Sequence, residues 1–184
     1  MAQEDWMLAR ACGCVETKRR ILSLSPTIPL DFDKEAYFSY KCDNLIALRN
    51  DTVFDLGGLT VRPVPLPSHS PGSVGFLCPE LNILLGGDSI APLTCLVFPE
   101  CLDIADHVKL LNAVKELPFS WILSSHSGRL IPKIEMDLYI KCAESVNPEK
   151  AVLFNSSLYP NYPGKMYSYE NPLSKGEYAF VVLP

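Results

Sequence analysis

The chain has 184 residues, with 16 Lys+Arg against 21 Asp+Glu and a formal net charge of −5. Its 48% hydrophobic and 20% charged content excludes disorder over the bulk of the chain, and a pI near 5.2 excludes a broad basic nucleic-acid surface. The length corresponds to a single domain spanning residues 1–184, long enough to bury roughly 70% of the unfolded surface.

In chain order, Glu4 to Cys12 predicts a short helix ended by Gly13, and Glu16 to Leu24 a second one ended at Ser25-Pro26. Residues 26–50 show no clear period. Thr52 to Gly58 then predicts a strand and turn, and Leu59 to Leu66 alternates as a strand whose Pro63 and Pro65 place it at an edge. Ser73–Cys78 and Ile83–Leu85 flank Pro79-Glu80-Leu81-Asn82, a hairpin. Asp103 caps a helix with an apolar face of Ile104, Val108, Leu111, Val114 and Leu117, stopped by Pro118. Trp121–Leu123 predicts a short buried strand. Pro132 opens a last helix with a buried face of Ile134, Leu138, Cys142 and Val146. Ala151–Phe154 and Glu177–Leu183 are further strands. Alternating strands and helices make the chain α/β or α+β.

Neither a basic nor an apolar leader opens the chain, and no apolar run approaches ~18 residues, so a membrane partner is not expected. Seven cysteines, Cys12, Cys14, Cys42, Cys78, Cys95, Cys101 and Cys142, are odd in number and scattered. They imply reduced thiols in a cytoplasmic protein. Cys12-x-Cys14 is too close for an easy disulfide and stays open as a metal-binding pair.

Three histidines occur. His69 lies in Ser68-His69-Ser70-Pro71-Gly72-Ser73, Asp88 in Leu85-Gly86-Gly87-Asp88-Ser89, and His126 in Leu123-Ser124-Ser125-His126-Ser127-Gly128. Each follows a strand among small residues, where side chains from distant positions converge at one sheet edge. Imidazole and carboxylate suit zinc or another borderline divalent cation, which lowers the pKa of a bound water to ~7 for hydrolysis. The plainer reading makes each a loop residue bonded to backbone. His107, mid-helix beside Asp106, reads as solvated and without function. Gly72 and Gly75 fit neither G-x-x-x-x-G-K-S/T nor G-x-G-x-x-G, so nucleotide binding has no support. Ser73 and Ser127 lie near histidines, but a serine hydrolase lacks its G-x-S-x-G elbow.

In order, these segments resemble the C-terminal half of the metallo-β-lactamase-fold hydrolases, from about Asp51 to Val146. That family has a histidine in a G-H-T-P-G-S-like stretch, an aspartate in a T-G-D-like stretch and a histidine in a P-G-H-G-like stretch. His69, Asp88 and His126 stand in those places, with Ser68 and Ser125 replacing glycines. The resemblance implies a partial αββα sandwich, mainly its C-terminal ββα half. It also implies that His69 binds a first metal, His126 a second, and Asp88 both. Aspartate at 88, where many zinc β-lactamases carry cysteine, points away from antibiotic hydrolysis.

The family's H-x-H-x-D-H motif should precede this region, yet no histidine precedes His69. Gln3-Glu4-Asp5-Trp6 resembles the helix start just after that motif, so the chain reads as N-terminally truncated relative to the family. With one ligand left per metal and Asp88 shared, binding of zinc (or iron or manganese) is expected to be weak or partial, since a catalytic zinc uses three protein ligands plus water. The remaining sheet would expose an apolar face, implying self-association or a separately encoded N-terminal half. Two readings follow. One is an impaired metal-dependent hydrolase attacking an ester, thioester, amide or phosphoester of an unidentified small molecule with water. The other is a non-catalytic fold remnant serving as an interaction or binding subunit. Ile90–Leu102 and the Tyr-rich tail, Tyr159–Tyr169, are the candidate pocket walls. For Tyr159, Tyr162, Tyr167 and Tyr169 the reading weighs toward an aromatic cover over the last helix.

Overall fold

The computed structural model describes residues 18–19, 22–23, 27–40, 48–49, 51–156 and 160–184. The chain divides into two compact units, Met1–Ala47 and Leu48–Pro184. In the first, Lys18, Arg19, Leu22 and Ser23 are helical, within the predicted Glu16–Leu24 stretch. The predicted Glu4–Cys12 helix, and Cys12, Cys14 and Cys42, lie outside the described residues. Helix α1 (Lys34–Ser39) falls where no period was legible. It forms because Asp33 caps it, the carboxylate accepting from Ala36 N at 2.9 Å. Lys18 Nζ donates to the carbonyls of Tyr37 and Tyr40, each at 2.9 Å, and joins the helical pieces of this unit.

The second unit carries two β-sheets. The six-stranded one has the order β1 (Phe54–Asp55), β2 (Thr60–Pro65), β3 (Val74–Cys78), β4 (Ile83–Gly87), β6 (Trp121–Ser124) and β7 (Ile131–Pro132). β1 is shorter than predicted because Asp55 Oδ1 accepts from Gly57 N, and Gly57 and Gly58 turn with φ of 77° and 107°. β1 pairs with β2 only at Thr60 and Val61, so Pro63 and Pro65 do occupy an edge. The hairpin turn closes as expected, Asn82 N donating to Pro79 O at 3.1 Å with Asn82 at φ 53°. β2 runs antiparallel to β3, β3 antiparallel to β4, and β4 parallel to β6. Strands β2, β4 and β6 therefore share one direction, and their C-terminal ends lie at one edge of the sheet.

Between β4 and β6 the chain forms β5 (Leu93–Cys95) and helix α2 (Ile104–Lys115), capped by Asp103 on Asp106 N at 2.8 Å. A parallel neighbour requires such a crossover. After β7, the predicted last helix begins later than Pro132: a single 3₁₀ turn, Lys133–Glu135, precedes α3 (Met136–Glu144). Its buried face is correspondingly rotated. Met136, Leu138, Tyr139, Ile140, Cys142 and Ala143 are buried, whereas Ile134, on the 3₁₀ turn, is exposed.

The second sheet has the order β5, β10 (Tyr178–Leu183), β9 (Gly164–Glu170), β8 (Val152–Phe154). β8 and β10 match the predicted tail strands. β5 and β9 fall in stretches read as pocket loops, and most of Ile90–Leu102 is core: Ile90, Leu96, Val97 and Phe98 are buried. One continuous core joins Leu66, Leu84, Ile122 and Ile131 of the first sheet to Leu111 and Val114 of α2. It extends through Met136 and Ile140 of α3 to Tyr167, Ala179 and Val181 of the second sheet. β6 is buried on one face only. Ile122 is inaccessible, but Trp121 and Leu123 are 43% and 39% exposed, because successive strand residues point to opposite faces.

Candidate metal centre

His69, Asp88 and His126 follow β2, β4 and β6, the three co-directional strands, and meet at their shared end. His126 Nε2 lies 3.2 Å from Asp88 Oδ1, and His69 Nε2 lies 3.9 Å from Asp88 Oδ2. The carboxylate thus stands between two imidazoles contributed from distant sequence positions.

The turn that places Asp88 is forced by packing. Gly86 leaves no room for a Cβ, which would come within 2.7 Å of Ile90 Cβ and 2.8 Å of Ile90 O, and Gly87 then bends with φ 55°. His69 is held more tightly than its loop setting suggested. Its Nδ1 is 2.7 Å from Cys95 O, its carbonyl accepts from Cys101 Sγ at 2.9 Å, and its N–H donates to Ser89 Oγ at 3.4 Å. Ser89 Oγ in turn donates to Leu66 O at 2.8 Å. A Nδ1–H bond to a carbonyl leaves the Nε2 lone pair directed at Asp88, the arrangement that orients metal-ligating histidines. His126 has no such anchor among the hydrogen bonds described, and its side chain is 80% exposed.

A divalent cation is tested by these donors. Asp88 Oδ1 is buried yet receives no hydrogen bond. Its 3.2 Å approach to His126 Nε2 is therefore close without being a formed bond. A buried carboxylate oxygen facing imidazole nitrogens is unsatisfied without a proton or a cation. By donor type, His69, Asp88 and His126 suit zinc, iron or manganese. By arrangement they are incomplete: among the described residues, no three His, Cys, Asp or Glu side chains converge to hold a metal ion. Burial, with the Cys101 thiol and the Asp88 carboxylate adding to it, pushes the nearby Cys95 thiol up to about 11.

The other sequence candidates fall away from this edge. Ser73 Oγ bonds Ser70 Oγ at 2.8 Å and Ser127 Oγ donates to Arg129 O at 3.1 Å, so neither is paired with an imidazole. His107 is buried rather than solvated: it lies on the inner stripe of α2, three residues after Ile104 and four before Leu111. Its Nδ1 is 2.6 Å from the hydroxyl of buried Ser68, and burial pulls its pKa down to about 4. The same helical spacing that marked the apolar face includes position 107. Tyr167 is part of the core rather than a surface cover, and Tyr169 packs partly buried against that core. Tyr162 instead packs edge-on against Phe98 at 5.1 Å, and Phe98 against His69 at 5.8 Å; Tyr159 lies outside the described residues. A cleft of about 640 Å³ opens beside His126, lined by Ala91, Pro92, Leu93 and Ser127 to Arg129. The Arg129 fork there is engaged by Glu135 at 2.8 and 2.7 Å.

No helix among the described residues is long and apolar enough to cross a membrane. Neither a protein-family model nor a curated protein matches the sequence. Solved structures do. An archaeal metallo-beta-lactamase superfamily protein from Sulfolobus tokodaii aligns with TM-score 0.46 and 19% identity, over 65% of this chain and 48% of its own. A metallo-beta-lactamase from Pontibacter korlensis aligns with TM-score 0.48 and 18% identity, over 58% and 51%. The mono-zinc form of a metallo-beta-lactamase from Pseudomonas aeruginosa gives 0.43 and 20%, over 60% and 51%. The chain spans about half the length of these structures. Over part of its length the chain is similar to these metallo-beta-lactamase proteins.

Proposed function

We propose that this chain is a metal-dependent hydrolase of the metallo-β-lactamase type with an impaired centre. It would act with water on an ester, thioester, amide or phosphoester of a small molecule, in the cytoplasm. The observation that carries the reading is pairwise: at the ends of three co-directional strands His69 and His126 each approach one oxygen of Asp88, at 3.9 and 3.2 Å, without closing into a three-ligand set. His69, Asp88 and His126 would hold the ion, and a bound divalent cation supplies Lewis-acid activation of water. The residues themselves orient the site: Cys95 O fixes the His69 ring, and His126, 80% exposed, stands 3.2 Å from Asp88 Oδ1. Calorimetric titration of the 184-residue chain with Zn²⁺ and Mn²⁺, beside hydrolysis of generic aryl esters and thioesters, tests this. Weak binding near one ion per chain with slow, metal-dependent turnover supports it. Tight binding of two zinc ions would overturn the impairment, and no binding would overturn the metal reading.

A second reading, a non-catalytic interaction subunit, is favoured by the outer face of the first sheet, where Phe54, Trp121 and Leu123 are exposed. In this reading the face pairs with a second copy of the chain, and sedimentation against concentration tests it. Binding only to a separately encoded N-terminal half would overturn self-pairing.

A further inference from the structure

We infer that His107 is a positioning residue for His69, acting through the hydroxyl of Ser68. The inference rests on the metal reading for its consequence, but its geometry stands apart from any ion. Ser68 and His107 are both buried and lie 2.6 Å apart, Oγ to Nδ1. Two polar groups in an apolar core persist only when they satisfy each other. A leucine at position 107 would continue the apolar stripe of α2 without needing a partner, so the histidine has a use only because Ser68 faces it.

Ser68 directly precedes His69 and has no unengaged polar group. Its N–H donates to Leu66 O at 2.7 Å, its carbonyl accepts from Leu102 N at 3.0 Å, and its hydroxyl meets His107. His107 sits in the first turn of α2, where its own N–H donates to Asp103 O at 2.9 Å. A capped helix is thereby tied to the residue from which His69 projects. The ring and carbonyl of His69 are fixed by Cys95 and Cys101, which belong to the same connection from β5 to α2. Rigid elements hold a functional side chain more closely than loops do. The imidazole, kept neutral by its burial, shares a hydrogen bond with the Ser68 hydroxyl without bringing a charge into the core. His107 touches neither Asp88 nor His69 in the contacts described. Its effect passes through backbone.

The test uses the full 184-residue chain, ¹⁵N-labelled and metal-free, followed by titration with Co²⁺. In the wild type, long-range ¹H–¹⁵N spectra are expected to show His69 as a single tautomer protonated at Nδ1. Ser68→Ala and His107→Leu should each give averaged ring-nitrogen shifts for His69 and about tenfold weaker Co²⁺ binding, the size typical of lost outer-shell support. His107→Asn, whose side-chain amide can accept from or donate to the Ser68 hydroxyl, should restore both. The double variant Ser68→Ala/His107→Leu leaves no unpaired polar group, so it should fold normally while keeping the loosened His69. Unchanged His69 shifts in the folded double variant would overturn the inference, even if the single variants melt earlier, because a purely structural pair alters stability alone. A wild type that binds no Co²⁺ sinks the metal reading. The tautomer comparison still decides the positioning role.

Discussion

Asp88 Oδ1 lies 3.2 Å from His126 Nε2 and is buried, yet it accepts no hydrogen bond. An unsatisfied buried acceptor costs about 1–3 kcal/mol, more when charged, and a divalent ion at that oxygen would remove the cost. Zinc at a hundredfold excess over its dissociation constant should stabilise the chain by about 2.7 kcal/mol and raise Tm by roughly 5–11 °C, reversibly with chelator. Asp88→Asn keeps the shape and discharges the group. Its metal-free form should melt at or above the wild type, and its zinc-dependent shift should vanish. A preserved shift in differential scanning fluorimetry would remove Asp88 from the site.

The buried His107 makes stability depend on pH. Burial lowers its pKa from an ordinary 6.5 to about 4, so between these values the unfolded chain binds the extra proton and the folded chain does not. Stability from this group is full above pH 6.5 and is lost as pH falls toward 4, by up to about 3 kcal/mol. Urea unfolding at pH 7.0, 5.5 and 4.5 should show that decline. The Ser68→Ala/His107→Leu variant should flatten it, and an equal decline in the variant would assign the acid sensitivity elsewhere.

Much of this arrangement was legible because local chemistry and the global fold agree. Asp103 ahead of an apolar stripe, Pro79 to Asn82 between alternating runs, and histidines following strands each announce a structure that forms. Helix α1 was missed because its signal is one cap, Asp33, with no buried face behind it. β5 was hidden for another reason: its order comes from pairing with β10, nearly ninety residues further on, which no local period records, whereas β9 forms a hairpin with β10 in which Glu170 stands opposite Tyr178. The clasp on His69 was equally hidden. It depends on a backbone carbonyl, Cys95 O, and on a buried Ser68–His107 pair whose members lie 39 residues apart.

Gly86 should tolerate no side chain. The Cβ of an alanine would meet Ile90 Cβ at 2.7 Å and Ile90 O at 2.8 Å, one of them backbone, and Ile90 is fully buried. Overpacking of this kind costs about 1–3 kcal/mol. Because Ile90 N donates to Gly86 O at 3.2 Å, relief must move the turn carrying Asp88. Gly86→Ala is therefore expected to lower the denaturation midpoint and weaken metal binding together. Loss of stability with unchanged Co²⁺ affinity would show that the turn does not transmit to Asp88.

The outer face of the first sheet makes its own prediction. Cross-strand partners share a face. Phe76 pairs with Leu85, Leu85 with Leu123, and Ile83 with Trp121, so these side chains form one apolar surface. Phe54 extends it, its ring 6.3 Å from that of Phe76. Trp121 and Leu123 keep 43% and 39% of their surface exposed, so a charge there can reach water in the folded chain while opposing burial against a second copy. Trp121→Glu and Leu123→Glu are expected to lower stability by about 0.5–3 kcal/mol, the ordinary range of point substitutions, and to leave the chain folded. Both should shift sedimentation of the wild-type assembly toward monomer. A wild type that sediments as a monomer at every concentration, with the variants indistinguishable from it, would show that this face does not bind its own copy.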